Sequence, residues 1–301
     1  MRRTPALVVL AAGAALVLAG CGDSAPDQDA KAPAPSGASA PSTPSTSATA
    51  SGQEMSGAYA ALGDSYSAAP GVPTIDFAAG CVRSTTNYPH LIAAAVPGLT
   101  LSDVTCSGAT TDSLSGSQHT AAALDLHVPP QLDAVSAATR YVTVGIGGND
   151  VGLFNGLVTC MTNGGCKATY GADADSAIET IGKDVTGALE AVRAKAPQAR
   201  VVLVGYPQLI PASGSCAALP LDETDRAFLH QVFIDISQRM ALAASQAGAR
   251  FVDVLDASQG HDICSSEPWI NGPQTNGEAF AFHPYEAEQR AVAAMVIKAF
   301  S

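Results

Sequence analysis

Tyr141-Val142-Thr143-Val144-Gly145-Ile146 is an unbroken apolar and β-branched run. A strand with one face in water alternates polar and apolar residues. A run without alternation marks a strand covered on both faces, as in a parallel sheet packed between helices. Ala58-Tyr59-Ala60-Ala61-Leu62, Arg200-Val201-Val202-Leu203-Val204-Gly205 and Arg250-Phe251-Val252-Asp253-Val254 read the same way, and residues 99–104 supply a fifth strand. Helical periodicity lies between them. Ile178, Ile181, Val185, Leu189 and Val192 form one apolar face, and Phe228, Leu229, Val232, Phe233, Ile236 and Met240 form another. Gly248 stands where the second of these helices would be capped, and residues 287–300 read as a final helix. Strand–helix alternation with five strands predicts an α/β fold, a three-layer α/β/α sandwich on a five-stranded parallel sheet. Ligands in such sheets bind outside the carboxyl ends of the strands.

The sequence around this unit divides the chain. Arg2 and Arg3 precede an uncharged, mostly apolar run over residues 6–19, short for a membrane span and suited to an export signal. It leads into Leu18-Ala19-Gly20-Cys21, which resembles a bacterial lipobox, so residues 1–20 are expected to be a lipoprotein signal peptide and Cys21 the lipidated residue. Residues 21–55 are rich in Ala, Pro, Ser and Thr without apolar periodicity, the composition of a disordered tether. The folded domain is expected over 56–301. The expected location is the extracellular side of the cell membrane, lipid-anchored, or secreted, with the membrane touched only through the anchor.

Of 301 residues, 47% are hydrophobic and 14% charged, which permits a large core. The formal charge of −12 becomes −14 once the two leader arginines are removed. That balance excludes nucleic acid as a partner, since phosphate binding needs a basic face. Cys81, Cys106, Cys160, Cys166, Cys216 and Cys264 remain after Cys21, an even count that in an exported chain favours disulfides. Six cysteines allow fifteen pairings. The sequential one, 81–106, 160–166 and 216–264, closes the shortest loops and is the one expected.

Four short segments have the residue types for chemistry, three of them at strand ends. They are Gly63-Asp64-Ser65-Tyr66-Ser67, Cys106-Ser107-Gly108-Ala109-Thr110, Gly145-Ile146-Gly147-Gly148-Asn149-Asp150, and Phe282-His283-Pro284 before the last helix. Singly each is weak. Gly-Asp-Ser is commonly a turn. The glycine-rich segment lacks the lysine of a phosphate-binding loop and the acidic ribose-binding position that would follow in a dinucleotide fold.

In this order the four blocks resemble the GDSL lipase/esterase family, the SGNH hydrolases. The resemblance spans roughly residues 57–301. The cysteine layout and Glu267-Pro268-Trp269-Ile270-Asn271-Gly272 are similar to its extracellular actinobacterial lipase branch. It implies a flavodoxin-like α/β fold and a carboxylic ester hydrolase working through a serine acyl-enzyme on a small-molecule acyl ester or lipid. No cofactor and no metal are implied, and a monomer is expected. Ser65 would be the nucleophile and His283 the base. The backbone N–H groups of Ser65 and Gly108 and the amide of Asn149 would form the oxyanion hole. The family commonly has Asp three residues before the histidine. Here that position is Phe280, so its carbonyl is expected to orient the imidazole, with Glu278 and Asp262 as alternatives.

The other histidines, His90, His119, His127, His230 and His261, read as structural or surface residues. Trp269 either lines the site or packs. The run Val151-Gly152-Leu153-Phe154-Asn155-Gly156-Leu157-Val158 either walls an acyl pocket or is core. The alternative function is a catalytically silent cell-surface module binding glycan or lipid.

Overall fold

The computed structural model describes residues 55–77, 80–121 and 126–301. The leader, Cys21 and the tether expected over 1–55 lie outside the described residues, Met55 excepted. The chain divides into Met1–Ser51 and Gly52–Ser301, and every element below belongs to the second unit.

In chain order the elements open with β1 (Gly57–Gly63), α1 (Ser65–Ala68), β2 (Ile75–Asp76), β3 (Arg83–Ser84), α2 (Tyr88–Ala95) and β4 (Leu99–Asp103). There follow β5 (Gln118–Ala121), β6 (Leu126–Val128), β7 (Thr139–Gly145), α3 (Leu153–Asn163), α4 (Cys166–Tyr170) and α5 (Ala174–Lys195). The chain continues through β8 (Arg200–Val204), α6 (Glu223–Gln246), β9 (Arg250–Val252), α7 (Val254–Ala257) and α8 (Glu286–Phe300). Five strands form one parallel sheet in the order β4-β1-β7-β8-β9. The short pairs β2–β3 and β5–β6 are separate antiparallel hairpins.

The strand period of two sorts the core onto two faces. Ala60, Leu62, Val142, Val144, Val201 and Leu203 face α3, α5 and α6. Tyr59, Ala61, Tyr141, Val202, Val204 and Val252 face α2 and α8. Both faces are covered, so neither residue set is polar, and this is why the strands read as continuous apolar runs. Phe300 at the end of α8 sets its ring edge-on to Tyr59 and Tyr141, with centroids 5.7 and 5.0 Å away. The disulfides are Cys81–Cys106, Cys160–Cys166 and Cys216–Cys264, the sequential set.

The last strand is shorter than the apolar run predicts. It ends at Val252 because the side chain of Asp253 accepts the Asp256 N–H and caps α7, which takes Val254 as its first residue. Within the run 151–158, Leu153, Phe154 and Leu157 are buried in the core, whereas Val151, Gly152 and Asn155 are exposed, Val151 at 59%.

This strand order places a topological switch between β1 and β7, where the chain leaves β4 and crosses back over β1. Gly63 pairs with Gly145 in register, so the loops after these two strands start level with one another.

The core assignment predicts a stability difference. Leu189 on α5 is fully buried, and Leu189→Ala is expected to destabilise the domain by about 2–5 kcal/mol in urea unfolding. Leu242→Ala on α6, at a side chain 45% exposed, is expected to stay within about 0.5 kcal/mol of the parent. Equal losses at the two positions would show that the faces are assigned wrongly.

Candidate active site

Ser65 is the first residue of α1, directly beyond the carboxyl end of β1, and is 8% exposed. The turn is tight. A Cβ at Gly63 would lie 2.5 Å from Ser67 Oγ and 2.7 Å from the Gly145 carbonyl oxygen, so only glycine lets β1 meet β7 and α1 this closely. Gln131, from the turn before β7, pairs with the same glycine: its Oε1 accepts the Gly63 N–H at 2.8 Å and its Nε2 donates to the Gly63 carbonyl at 3.0 Å. Asp64 caps α1 by accepting the Tyr66 N–H at 2.9 Å.

Three further strand ends converge on this turn. Beyond β4, Cys106 donates its N–H to the Gly63 carbonyl, and Gly108 follows with φ +78°, a backbone region that a side chain would strain. Beyond β7, Asn149 Nδ2 donates to the Ala109 carbonyl at 3.0 Å. That bond fixes the amide and leaves its second N–H free to point elsewhere. Asp150 accepts from the N–H and hydroxyl of Thr111 at 2.9 and 2.7 Å, tying the glycine-rich segment to the loop of Gly108. Burial raises the Asp150 pKa despite those bonds. Beyond β8, the Tyr206 hydroxyl accepts the Gly148 N–H at 2.7 Å and donates to Asp64 at 2.5 Å. Burial pushes the Asp64 carboxyl up to about 7 against the opposing pull of the Tyr206 and Tyr66 hydrogen bonds.

The backbone N–H groups of Ser65 and Gly108 donate to no other group among the described residues. With the Asn149 amide they make three donors on the loops at one end of the sheet. The Ser65 hydroxyl also has no hydrogen-bond partner among the described residues, and neither does Nε2 of His283.

His283 arrives from the segment before α8. Residues 269–272 run antiparallel to 282–285: Asn271 N–H donates to the His283 carbonyl, Phe282 N–H to Gly272 and Tyr285 N–H to Trp269. Asn271 is buried and its amide donates to the carbonyls of Gln274, Ala279 and Phe280. The imidazole Nδ1 lies 2.7 Å from the Ala281 carbonyl oxygen, and this contact sets Nδ1 as the protonated nitrogen. The orienting carbonyl is therefore that of Ala281 and not, as expected, that of Phe280. The Phe280 carbonyl is already engaged by the His283 backbone N–H and by Asn271. Neither carboxylate alternative reaches the ring: Asp262 accepts the Cys264 N–H, and Glu278 is exposed. Burial lowers the His283 pKa, and the Ala281 bond only partly offsets it.

Tyr66 joins the two halves. Its hydroxyl donates to the Phe282 carbonyl at 2.8 Å, and its ring stacks on the His283 imidazole with centroids 5.5 Å apart. Tyr66, Tyr206, Ala281, Asn271 and Gln131 were not among the predicted site residues. Trp269 stacks on His261 at 4.6 Å and serves the packing of its loop.

Residues 61–291 match the model of the GDSL-like Lipase/Acylhydrolase family. Lipase 2 of Streptomyces coelicolor is 39% identical over 251 residues, spanning 78% of this chain and 83% of that protein. The crystal structure of the extracellular lipase from Streptomyces rimosus aligns with a TM-score of 0.70 at 32% identity, covering 81% of this chain and all of that one (100%). Phospholipase A1 from Streptomyces albidoflavus NA297 aligns at 0.69 and 30% identity, covering 81% of this chain and 99% of that one. On a match that runs from β1 into α8, the chain belongs to the GDSL-like lipase/acylhydrolase family and is a serine ester hydrolase.

Proposed function

We propose that Ser65 and His283 form a catalytic dyad that hydrolyses acyl esters of lipids through an acyl-enzyme, in a protein exported and held at the outer surface of the membrane through Cys21. The observation that carries the dyad is the locked imidazole. With Nδ1 donating to Ala281, Nε2 is the basic nitrogen, the one that can take the serine proton. In this reading Ser65 Oγ attacks the ester carbonyl and its proton passes to His283. The oxyanion accepts from the Ser65 and Gly108 N–H groups and from Asn149. Collapse expels the alcohol, which receives the proton from His283. Water then repeats the sequence on the acyl-enzyme and releases the acid.

The lipid substrate is supported by the relatives, described as lipases and a phospholipase A1. Val151, two residues beyond Asn149 in the chain, is an exposed apolar side chain. Export is supported by the S. rimosus relative, described as an extracellular lipase, and by the leader sequence. No helix among the described residues is long and apolar enough to cross a membrane.

Three tests address the dyad. Ser65→Ala is expected to abolish turnover of a short-chain chromogenic ester and labelling by an organophosphonate while the fold is kept. Labelling of another serine in the parent, with Ser65 unmodified, would sink the assignment. Asn149→Ala is expected to lower kcat by about 10²–10³, the usual cost of one oxyanion donor, with KM changing less. A near-native kcat would make the glycine-rich segment a mere loop. The active imidazole is neutral, and burial lowers its pKa, so the acidic limb of kcat/KM is expected to have its midpoint below 6.5. Glu278→Gln and Asp262→Asn should leave that midpoint in place. A midpoint above 6.5 that falls in either variant would reveal a carboxylate partner.

A further inference from the structure

In most serine hydrolases a carboxylate holds the imidazole in position and steadies its charge. Here one hydrogen bond to the Ala281 carbonyl does the first task, and among the described residues no ion pair is made by His283. A single bond at Nδ1 fixes the tautomer but lets the ring swing about the Nδ1–oxygen axis. The backbone that presents the ring is itself strained. Phe282, immediately before it, has φ 60°, the left-handed region that disfavours a residue with a side chain. Something must hold this turn and stop the swing.

Tyr66 meets both requirements. Its hydroxyl donates to the Phe282 carbonyl at 2.8 Å, which pins the peptide joining the strained residue to His283. Its ring lies over the imidazole, 29° from parallel at 5.5 Å. The ring cannot yield, because it is wedged edge-on against Tyr206 at 5.1 Å and Phe154 at 6.0 Å. Its backbone is held as well: Asp64 accepts its N–H, and Gln289 on α8 donates to its carbonyl at 3.0 Å. The phenol stays protonated, and so remains a donor, because burial and the neighbouring carboxyls of Asp64 and Glu288 raise its pKa. An aromatic face within about 6 Å also favours a cation over the neutral ring, so the stack stabilises the imidazolium that forms during proton transfer.

We infer that Tyr66 is the positioning residue of His283, dividing with the Ala281 carbonyl the work of the missing carboxylate. This rests on His283 being the base. Tyr66 follows Ser65 directly, so one helical turn presents the nucleophile and sets the base.

The test is a double-mutant cycle on the full-length protein with a soluble acetate ester, using Tyr66→Phe, Tyr66→Leu and His283→Ala singly and in combination. His283→Ala alone checks the underlying reading: near-native activity there removes the base and this inference with it. Given the loss of activity in His283→Ala, Tyr66→Phe is expected to lower kcat about tenfold with KM within about twofold, the rate equivalent of one hydrogen bond. Tyr66→Leu, which also removes the π face, is expected to lower kcat roughly a hundredfold and to move the acidic limb to lower pH; Tyr66→Phe should leave the limb where it is. In the His283→Ala background neither substitution should cost anything further, because a positioning residue has nothing left to position. Losses that multiply with His283→Ala, or a kcat within twofold of the parent in Tyr66→Phe, overturn the inference. Should the leucine variant fail to fold, the phenylalanine variant and its double mutant decide alone.

Discussion

Asp64 sits at the point where four strand ends meet, and its two carboxylate oxygens hold three of them together. One accepts the Tyr66 N–H and starts the turn that presents Ser65. The other accepts the Tyr206 hydroxyl, which in turn accepts the Gly148 N–H of the segment leading to Asn149. The Ser65 turn, the glycine-rich loop and the loop after β8 are thus linked through one carboxyl group. The arrangement has a cost, because the group is buried without a cation and its pKa rises to about 7. Its benefit is rigidity. Catalysis by preorganised donors depends on their being fixed before the substrate's charge develops.

The same logic explains why a carbonyl can serve where relatives in mechanism use a carboxylate. A carboxylate partner would have to ionise in a region where burial already raises the pKa of Asp64, Asp150 and Glu288, the last to about 8. A neutral acceptor avoids that desolvation cost but stabilises the imidazolium less. The lowered pKa of His283 follows: the ring is desolvated and has no anion to compensate.

How much of this could be read from the sequence depends on where each interaction lives. The central strands were legible because covering both faces of a sheet demands residues such as Val142, Val144, Val202 and Leu203, an unmistakable local composition. The hairpins β2–β3 and β5–β6 were not, since strands of two to four residues are too short for periodicity to show. Ser65, Gly108, Asn149 and His283 stood out as motif residues, and the fold places three of them beyond strand ends and His283 on the segment before α8. Ala281 could not be found this way, because the group it offers is a backbone carbonyl, which every residue has. Tyr66 and Tyr206 escaped for another reason. Their partners lie 216 and 142 positions away, and no local pattern encodes such a contact. Only the place of Tyr206, just past the end of β8, hinted that a polar aromatic there faces the crevice.

The separation of 216 residues between Tyr66 and the carbonyl it holds has a consequence for when the enzyme becomes an enzyme. In the proposed dyad, the turn of Ser65 can form as soon as β1 and its neighbours pair, but His283 arrives only when the segment ahead of α8 has docked beside 269–272. Contacts this distant along the chain are slow to form. Under that proposal, any conformation in which this segment is undocked holds Ser65 without its base, whether or not the sheet is formed. Partial release of that segment in the finished molecule would likewise part His283 from Ser65, and it would uncover Ile270 and Phe282, which belong to the core. Hydrolytic activity is in this sense a report that the docking step has been completed.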